Sequence, residues 1–297
     1  MPLNFQTPDD SPAVEKGVLY VVATPIGHKD DITLRALRVL SGVDIVAAED
    51  TRCAGRMLSL YRISSLLVSY HDHNETERTP ELIHKLQNGA SIALVSDAGT
   101  PSVSDPGYRL ICAAISAAIR VIPVPGVSAA TAALSVSGLP TDAFVFSGFP
   151  PRRTNSRQSL LKELENEPRT LIFYESPKRV IAFLNDAVTV LGDRQGVLCR
   201  EMTKRYEEFV RGQLSFILSS LSDRPEVKGE CTLVISGKNR QCPDNSDATE
   251  NLLAGWSDAM TEERPGDLAR KLAIKYGISR KKAYQLILSE KEKDGSL

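Results

Sequence analysis

Two nucleotide-binding signatures are missing from this 297-residue chain. It contains neither GxGxxG nor GxxxxGK followed by Ser or Thr, so the dinucleotide turn and the P-loop, which need glycine at fixed offsets for phosphate to approach the backbone, lose their main support. Cysteine pairs are missing too. Cys53, Cys112, Cys199, Cys231 and Cys242 are scattered with no CxxC, which argues against a zinc site and a disulfide framework and fits a reducing compartment. No run approaches the ~18 apolar residues of a membrane helix. The opening MPLNFQTPDDSPAVEKG has no basic start followed by an apolar core, so no secretory leader is read there and the cytoplasm is expected. Charge of one sign is also lacking. Lys and Arg total 36 against 37 Asp and Glu, a net charge of -1, so any contact with nucleic acid has to come from local patches.

What is present is an alternation of short apolar runs and amphipathic stretches from Gly17 onward, which predicts an α/β fold. Strands are expected at 18–24, 43–48, 66–70, 91–96 and 119–124, then at 143–149, 169–174, 196–200, 206–211 and 231–236. Most are rich in Val and Ile without alternation, as strands covered on both faces are. Helices are expected at 32–41, 75–88, 106–117, 127–138, 154–166, 177–191 and 213–221, with Asp30 or Asp31 capping the first and Pro106 in the first turn of the third. The Pro125-Gly126 pair marks a boundary between domains at 17–125 and 126–237. Residues 1–16 read as a mobile lead-in, and the polar, turn-rich 238–250 as a linker. In the module at 251–297, Leu268, Leu272 and Tyr276 lie at helical spacing before Gly277, and Ser279 can cap a second helix lined by Ala283, Leu286 and Ile287. That layout is compatible with a helix-turn-helix. Six basic residues and no acid between Arg270 and Lys282 fit equally a solvated basic tail.

The chemistry is expected in loops at the carboxyl ends of strands, where open α/β sheets place ligands. In TPIGHKDDIT at 24–33, Pro25 stiffens the turn and Gly27 permits close approach to the backbone, although a plain structural turn reads as well. In SDAGTPSVSDPG at 96–107, Ala98 and Gly99 are small beside the carboxylate of Asp97, a combination that presses a planar or sugar-bearing ligand against main chain. Asp105, before Pro106, reads better as a helix cap than as a ligand group. In PVPGVSAATAALSVSGLP at 123–140, Ser128, Ala129 and Ala130 open a helix whose N–H groups could receive a carboxylate.

Taken in order, TPIG with DIT at 31–33, AAEDTR (47–52), YHDHNE (70–75), VSDAGTPSVSDPGY (95–108), VPGVSAA (124–130), GLP (138–140), FYESPKR (173–179), REMTKRYEE (200–208) and GECTLVISG (229–237) resemble the bacterial methyltransferases of small-subunit ribosomal RNA. These are a branch of the tetrapyrrole-methylase superfamily, and the likeness covers residues 17–297. It implies an α/β, two-domain class III methyltransferase with a small C-terminal helical module, S-adenosylmethionine (SAM) folded in the cleft between the domains, and a homodimer. It also implies 2'-O-methylation of a cytidine ribose in the decoding region of 16S rRNA, on the assembled small subunit. His28-Lys29 departs from relatives, which usually carry Asn and a small or apolar residue. Carried over as SAM contacts are Pro25 and Ile26, then Asp97, Ala98 and Gly99, then Ser128 and Ala129, with Tyr174, Met202 and Thr232 closing from the second domain.

An in-line methyl transfer depends above all on positioning, with a base adding roughly 10²- to 10⁴-fold. Candidate bases are Glu49, Asp50 and Glu201, with His71 and His73 after the third strand also considered, and Glu49-Asp50-Arg52 reads equally as an internal ion-pair cluster. His71 and His73 suggest RNA contact or structural hydrogen bonding rather than a metal, which methyl transfer does not need. RNA contacts are expected from Arg52, His71, His73, Arg152, Arg153, Lys178, Arg179, Lys204 and Arg205, with Arg157 joining the basic loop at 152–153. Any one of these cations could equally be solvated surface charge. Two rivals share the scaffold: methylation of a small tetrapyrrole, against which the basic loops and tail stand, and a non-catalytic RNA-binding protein.

Overall fold

A computed structural model describes residues 14–238 together with Gly266, Leu268, Tyr284 and Ile287. The chain forms two compact units, 1–240 and 241–297. In the first unit the apolar runs form two five-stranded sheets. Sheet one is wholly parallel, with order β3-β2-β4-β1-β5, from β1 (Val18–Val22), β2 (Ile45–Ala48), β3 (Leu66–Ser69), β4 (Ile92–Val95) and β5 (Arg120–Val124). Both faces are covered, which is why β2 and β4 are buried at every position. Helices α1 (Leu34–Gly42) and α2 (Thr51–Leu60) pack on one face through Val39, Leu40, Ala54 and Leu58. Helices α3 (Glu75–Gln87) and α4 (Tyr108–Ser116) pack on the other through Leu82, Leu86, Leu110 and Ala114.

Neighbouring β1 and β4 send their chains in opposite directions, β1 toward β2 and β4 toward β5. A crevice therefore opens beyond their carboxyl ends, the usual place for a ligand in such sheets. Sheet two is mixed, with order β6-β7-β10-β8-β9, from β6 (Phe144–Phe146), β7 (Thr170–Glu175), β8 (Gln195–Arg200), β9 (Glu208–Gln213) and β10 (Cys231–Ile235). Helices α6 (Thr154–Glu163), α7 (Val180–Leu191) and α8 (Leu214–Ser222) cover it around Leu161, Phe173, Phe183 and Leu233. Helix α5 (Ala129–Ser137) also packs on this sheet, against β10, β7 and β8.

All ten expected strands form, as do seven helices, with ends within three residues of expectation. Helix α2 was not expected, and Asp50 supplies its cap by accepting from the Arg52 N–H at 2.8 Å. The cap of α1 is Thr33, which accepts from the Ala36 N–H at 3.0 Å, while Asp30 and Asp31 fall in a preceding 3₁₀ turn, Lys29–Asp31. Pro106 lies before α4, whose cap position is Gly107 with φ +134° and no side-chain capping bond. Asp105 is therefore no cap either.

Among the described residues, no helix is long and apolar enough to cross a membrane. In the second unit, Gly266, Leu268, Tyr284 and Ile287 are helical, and Leu268 and Ile287 are fully buried. The other expectations for the linker at 238–250 beyond Lys238, for the module at 251–297 and for residues 1–13 lie outside the described residues.

Candidate active site

Beyond the carboxyl ends of β1, β2, β4 and β5 lies a cavity of about 390 Å³, within the ~300–1,000 Å³ usual for small-molecule sites. Its first wall comes from sheet one. Ile26 follows β1, Glu49 follows β2, Asp97, Ala98 and Gly99 follow β4, and Ser128 and Ala129 start α5. Its second wall is the end of β7 beside the start of β10, where Tyr174 pairs with Thr232 and Glu175 with Cys231.

Loop geometry explains why these residue types stand here. Gly99, at φ +80°, exchanges two main-chain hydrogen bonds with Thr24, at 2.8 and 3.0 Å, so the loops after β1 and β4 are laced into one floor. A left-handed residue at that bridge favours glycine. Gly27 acts differently from expectation. A Cβ there would meet Thr203 Oγ1 at 2.6 Å and the Met202 carbonyl oxygen at 3.0 Å, and the His28 N–H donates to Thr203 Oγ1 at 3.0 Å. The close approach at Gly27 is thus made by the chain's own segment 202–204. The unusual His28 caps the 3₁₀ turn by accepting from the Asp30 N–H. Ser102 and Ser104, non-glycine residues at positive φ, alternate with the lining residues Val103 and Asp105, and such strain concentrates at ligand sites.

Of the ten expected SAM contacts, eight line the cavity: Ile26, Asp97, Ala98, Gly99, Ser128, Ala129, Tyr174 and Thr232. Pro25 and Met202 do not, Met202 being buried against the Gly27 loop. The start of α5 is not wholly open to an incoming carboxylate, because the Ala130 N–H already donates to Tyr174 Oη at 3.0 Å. Tyr174 is held edge-on by Phe146 and Phe149, with ring centroids at 4.8 and 5.6 Å.

The three candidate bases separate. Glu49 faces the cavity, and burial pushes its carboxyl above the ordinary value, with the Asp97 and Asp72 charges adding to the shift. Its Oε2 accepts from the Asp97 N–H at 3.3 Å. Asp50 is outside the lining. It binds Arg52 through Nε at 3.0 Å and a terminal nitrogen at 2.7 Å, contacts that hold its carboxyl far below the usual carboxylate range. Glu201 is outside as well. Burial would raise it, but the Glu230 N–H and Lys204 outweigh burial and hold it low.

Sequence reasoning missed Asp105 and Glu175, both of which line the cavity. Asp105 is pushed up to about 6, first by burial and then by the charge of Glu49. Burial lifts Asp97 above its ordinary value too. Glu175 is 2% exposed. Its Oε1 accepts from the Ser176 N–H at 2.7 Å and pairs with Arg179 at 2.6 Å, while its Oε2 is buried with no partner. The signal for Glu175 lay in FYESPKR, of which only the tyrosine was assigned to the cofactor and Lys178 and Arg179 to RNA. Cys231, pushed up to about 12 by burial, is an unreactive thiol.

The expected RNA cations divide as sharply. Arg152, Arg153, Lys178 and Arg205 are exposed. Arg52 is exposed but paired with Asp50, Arg179 is tied to Glu175, and Lys204 bridges Glu201 and Glu230 at 3.1 Å each. Arg157 does not join the basic loop: it is buried and paired with Asp186. His71 and His73 meet edge to face at 5.9 Å, with His71 Nδ1 buried and unpartnered. Among the described residues, no three His, Cys, Asp or Glu side chains gather as a metal site.

The sequence profile of the tetrapyrrole (corrin/porphyrin) methylases matches residues 18–217. The chain is 45% identical over 283 residues to the ribosomal RNA small subunit methyltransferase I of Synechocystis, covering 94% of this chain and all of that one. It is 44% identical over 279 residues to the protein of that name from Escherichia coli O157:H7, covering 93% and 96%. A uroporphyrin-III C-methyltransferase from Thermus thermophilus, complexed with S-adenyl homocysteine, shares the fold at a TM-score of 0.50 and 19% identity, over 74% of this chain and 96% of that one.

Proposed function

Because this chain belongs to the tetrapyrrole (corrin/porphyrin) methylases, and among them to the ribosomal RNA small subunit methyltransferases I, we propose that it methylates the ribose 2'-hydroxyl of a cytidine in the decoding region of 16S rRNA, on the assembled small subunit. SAM-dependent methylation of small-subunit rRNA is the coarser claim, carried by the family. The 2'-oxygen, the cytidine and the decoding region are the finer ones. The reading includes a cytoplasmic homodimer, and a division at 17–125 and 126–237 supported by the packing of α5 on sheet two.

The observation that carries the reading is the cavity itself. Its residues fit SAM. Ala98, Gly99 and Ala129 leave room for a flat nucleoside beside main chain, Asp97 offers a carboxylate for hydroxyl hydrogens, and Glu175 Oε2 is a buried oxygen still lacking a partner. When bound, SAM supplies an electrophilic methyl group whose leaving group is a neutral thioether. Tyr174, braced by two phenylalanines and anchored to α5, fixes the second wall against the first, so reacting atoms are held in line. Glu49 Oε1, not engaged by the Asp97 N–H, is the oxygen left to take the proton of the attacking hydroxyl, and its raised affinity for protons suits it to that task. Asp50 and Glu201, held low by their partners, are weaker bases and serve the loops. Exposed Arg152, Arg153, Lys178 and Arg205 contact phosphates, with Arg179, which donates to the Pro150 carbonyl, and Lys204, which bridges Glu201 and Glu230, bracing the loops that carry Arg152, Arg153 and Arg205, while Arg52, His71 and His73 face RNA from the first sheet's side.

The test is methyl-labelled SAM offered with unmodified small subunits, naked 16S rRNA and a porphyrinoid, followed by digestion of the RNA to nucleosides. Label in 2'-O-methylcytidine from the small subunit is expected. Label in a base, or in the porphyrinoid alone, would overturn the proposal, and a chain that binds RNA without transferring label would be a non-catalytic relative.

A further inference from the structure

The lining of the cavity carries five carboxylates, on Glu49, Asp97, Asp105, Glu175 and Glu230, and no lysine, arginine or histidine. That composition is unexpected beside a polyanionic substrate. Four of the five reach the wall by three routes: Glu49 from the loop after β2, Asp97 and Asp105 from the loop after β4, and Glu175 from the end of β7. Glu175 is the most constrained. Its Oε1 pairs with Arg179 and accepts from the Ser176 N–H, and Arg179 is not part of the lining. On the other side Oε2 is buried without a hydrogen-bond donor. A buried carboxylate oxygen left without a partner is costly, and such atoms in a folded chain call for a missing ligand group.

We propose that Glu175, foremost among the wall carboxylates, makes the cavity select its ligand by charge, favouring the cationic methyl donor over the neutral product left after transfer. The inference rests on the reading of the cavity as the SAM site. SAM carries a sulfonium, an ammonium and a carboxylate, a net charge of one positive unit, whereas S-adenosylhomocysteine keeps the ammonium and carboxylate and is neutral overall. The two ligands share every N–H and O–H donor and differ in the methyl group and its positive charge. In a half-enclosed site of low dielectric, fixed carboxylates act on that difference without having to rearrange. Loss of the charge at transfer then weakens the hold on the product, so one group both draws the donor in and lets the spent cofactor go. The same wall repels the phosphates of an RNA strand, so only the uncharged sugar edge enters.

Titration calorimetry on the full chain tests this without turnover. The probes are SAM, S-adenosylhomocysteine and sinefungin, an analogue with an amine-bearing carbon in place of the methylated sulfur and the same net charge as SAM. The wild type is expected to bind SAM and sinefungin at least threefold more tightly than S-adenosylhomocysteine. In Glu175→Gln, which keeps an acceptor oxygen and removes the charge, that preference should fall by at least threefold while affinity for S-adenosylhomocysteine stays within twofold. Equal weakening of all three ligands would mean that Glu175 accepts from a donor they share, and would overturn charge selection; so would an unchanged ratio. Should Glu175→Gln fail to fold with Arg179 unpaired, Asp105→Asn, which leaves that pair intact, must move the ratio in the same direction, and failure to do so counts against the proposal. A wild type that binds none of the three probes refutes the SAM site instead.

Discussion

Replacing Asp105 by asparagine isolates the electrostatic cost of the acidic cavity in one number. The Asp105 carboxyl is pushed up to about 6, by burial first and by Glu49 next, from an ordinary value of about 3.9. The folded chain thus holds this proton more tightly than the unfolded chain. A raised group contributes stability that is fully present below about pH 4 and is lost as pH rises through about 6. At about 1.36 kcal/mol per pKa unit the full gap of about two units would amount to about 3 kcal/mol; the side chain is partly exposed, and screening by solvent cuts this to about 1–2 kcal/mol. Asparagine cannot ionise, so Asp105→Asn removes that loss and leaves the side chain nearly the same size. Urea unfolding of both proteins between about pH 4 and about pH 7 is the assay. The free-energy difference, variant minus wild type, should climb by about 1–2 kcal/mol over that range, whatever its value at the acid end. A difference that stays flat would refute the claim that Asp105 is buried beside other carboxylates.

Other perturbations separate the roles assigned to neighbouring groups. Glu49→Gln should lower the single-turnover methylation rate at saturating SAM by roughly 10²- to 10⁴-fold, whereas Asp50→Asn, which loosens the cap of α2, should lower the melting temperature and leave that rate within a few-fold. Gly27→Ala drives a Cβ into Thr203 Oγ1 and the Met202 carbonyl and should cost about 1–3 kcal/mol of stability in denaturant titration. Arg157→Ala strands Asp186 in the core and should cost about 3–5 kcal/mol. Arg152→Ala with Arg153→Ala and Lys178→Ala should leave stability unchanged and flatten the salt dependence of small-subunit binding, by roughly 0.7–0.9 in log–log slope for each phosphate that is no longer neutralised.

These predictions draw on two kinds of residue, those whose place a sequence reveals and those whose place only the fold supplies. The strands were legible because a parallel sheet covered on both faces demands unbroken runs such as SIALVS, and the loops after β1 and β4 because small residues beside an acid have few other uses. Helix α2 escaped notice. Its sequence TRCAGRMLSL spends Gly55 and two arginines on a short helix, and only Ala54 and Leu58 are buried, too sparse an apolar stripe to stand out. Asp105 was misread because an acid before Pro-Gly looks like a cap; the φ of +134° at Gly107 delays α4 and turns the aspartate to the cavity instead. Glu175 was given no role, and its partner Arg179 was expected among the RNA contacts. Only the pairing of β7 with β10, which sets Glu175 opposite Cys231, buries the carboxylate and leaves one of its oxygens unpartnered. Arg157 shows the converse: its neighbours in sequence are exposed cations, while its partner Asp186 comes from the next helix.

Catalysis and selectivity both depend on the cofactor sitting between the two sheets. A crystal structure of the full chain grown with S-adenosylhomocysteine addresses this directly. The nucleoside should lie against Ala98, Gly99 and Ala129, with the Asp97 carboxylate within hydrogen-bonding distance of the ligand and Glu175 Oε2 facing its sulfur. Density for the ligand elsewhere on the chain, or an enclosed wall at Asp97 with Glu175 Oε2 satisfied by another protein group, would contradict it.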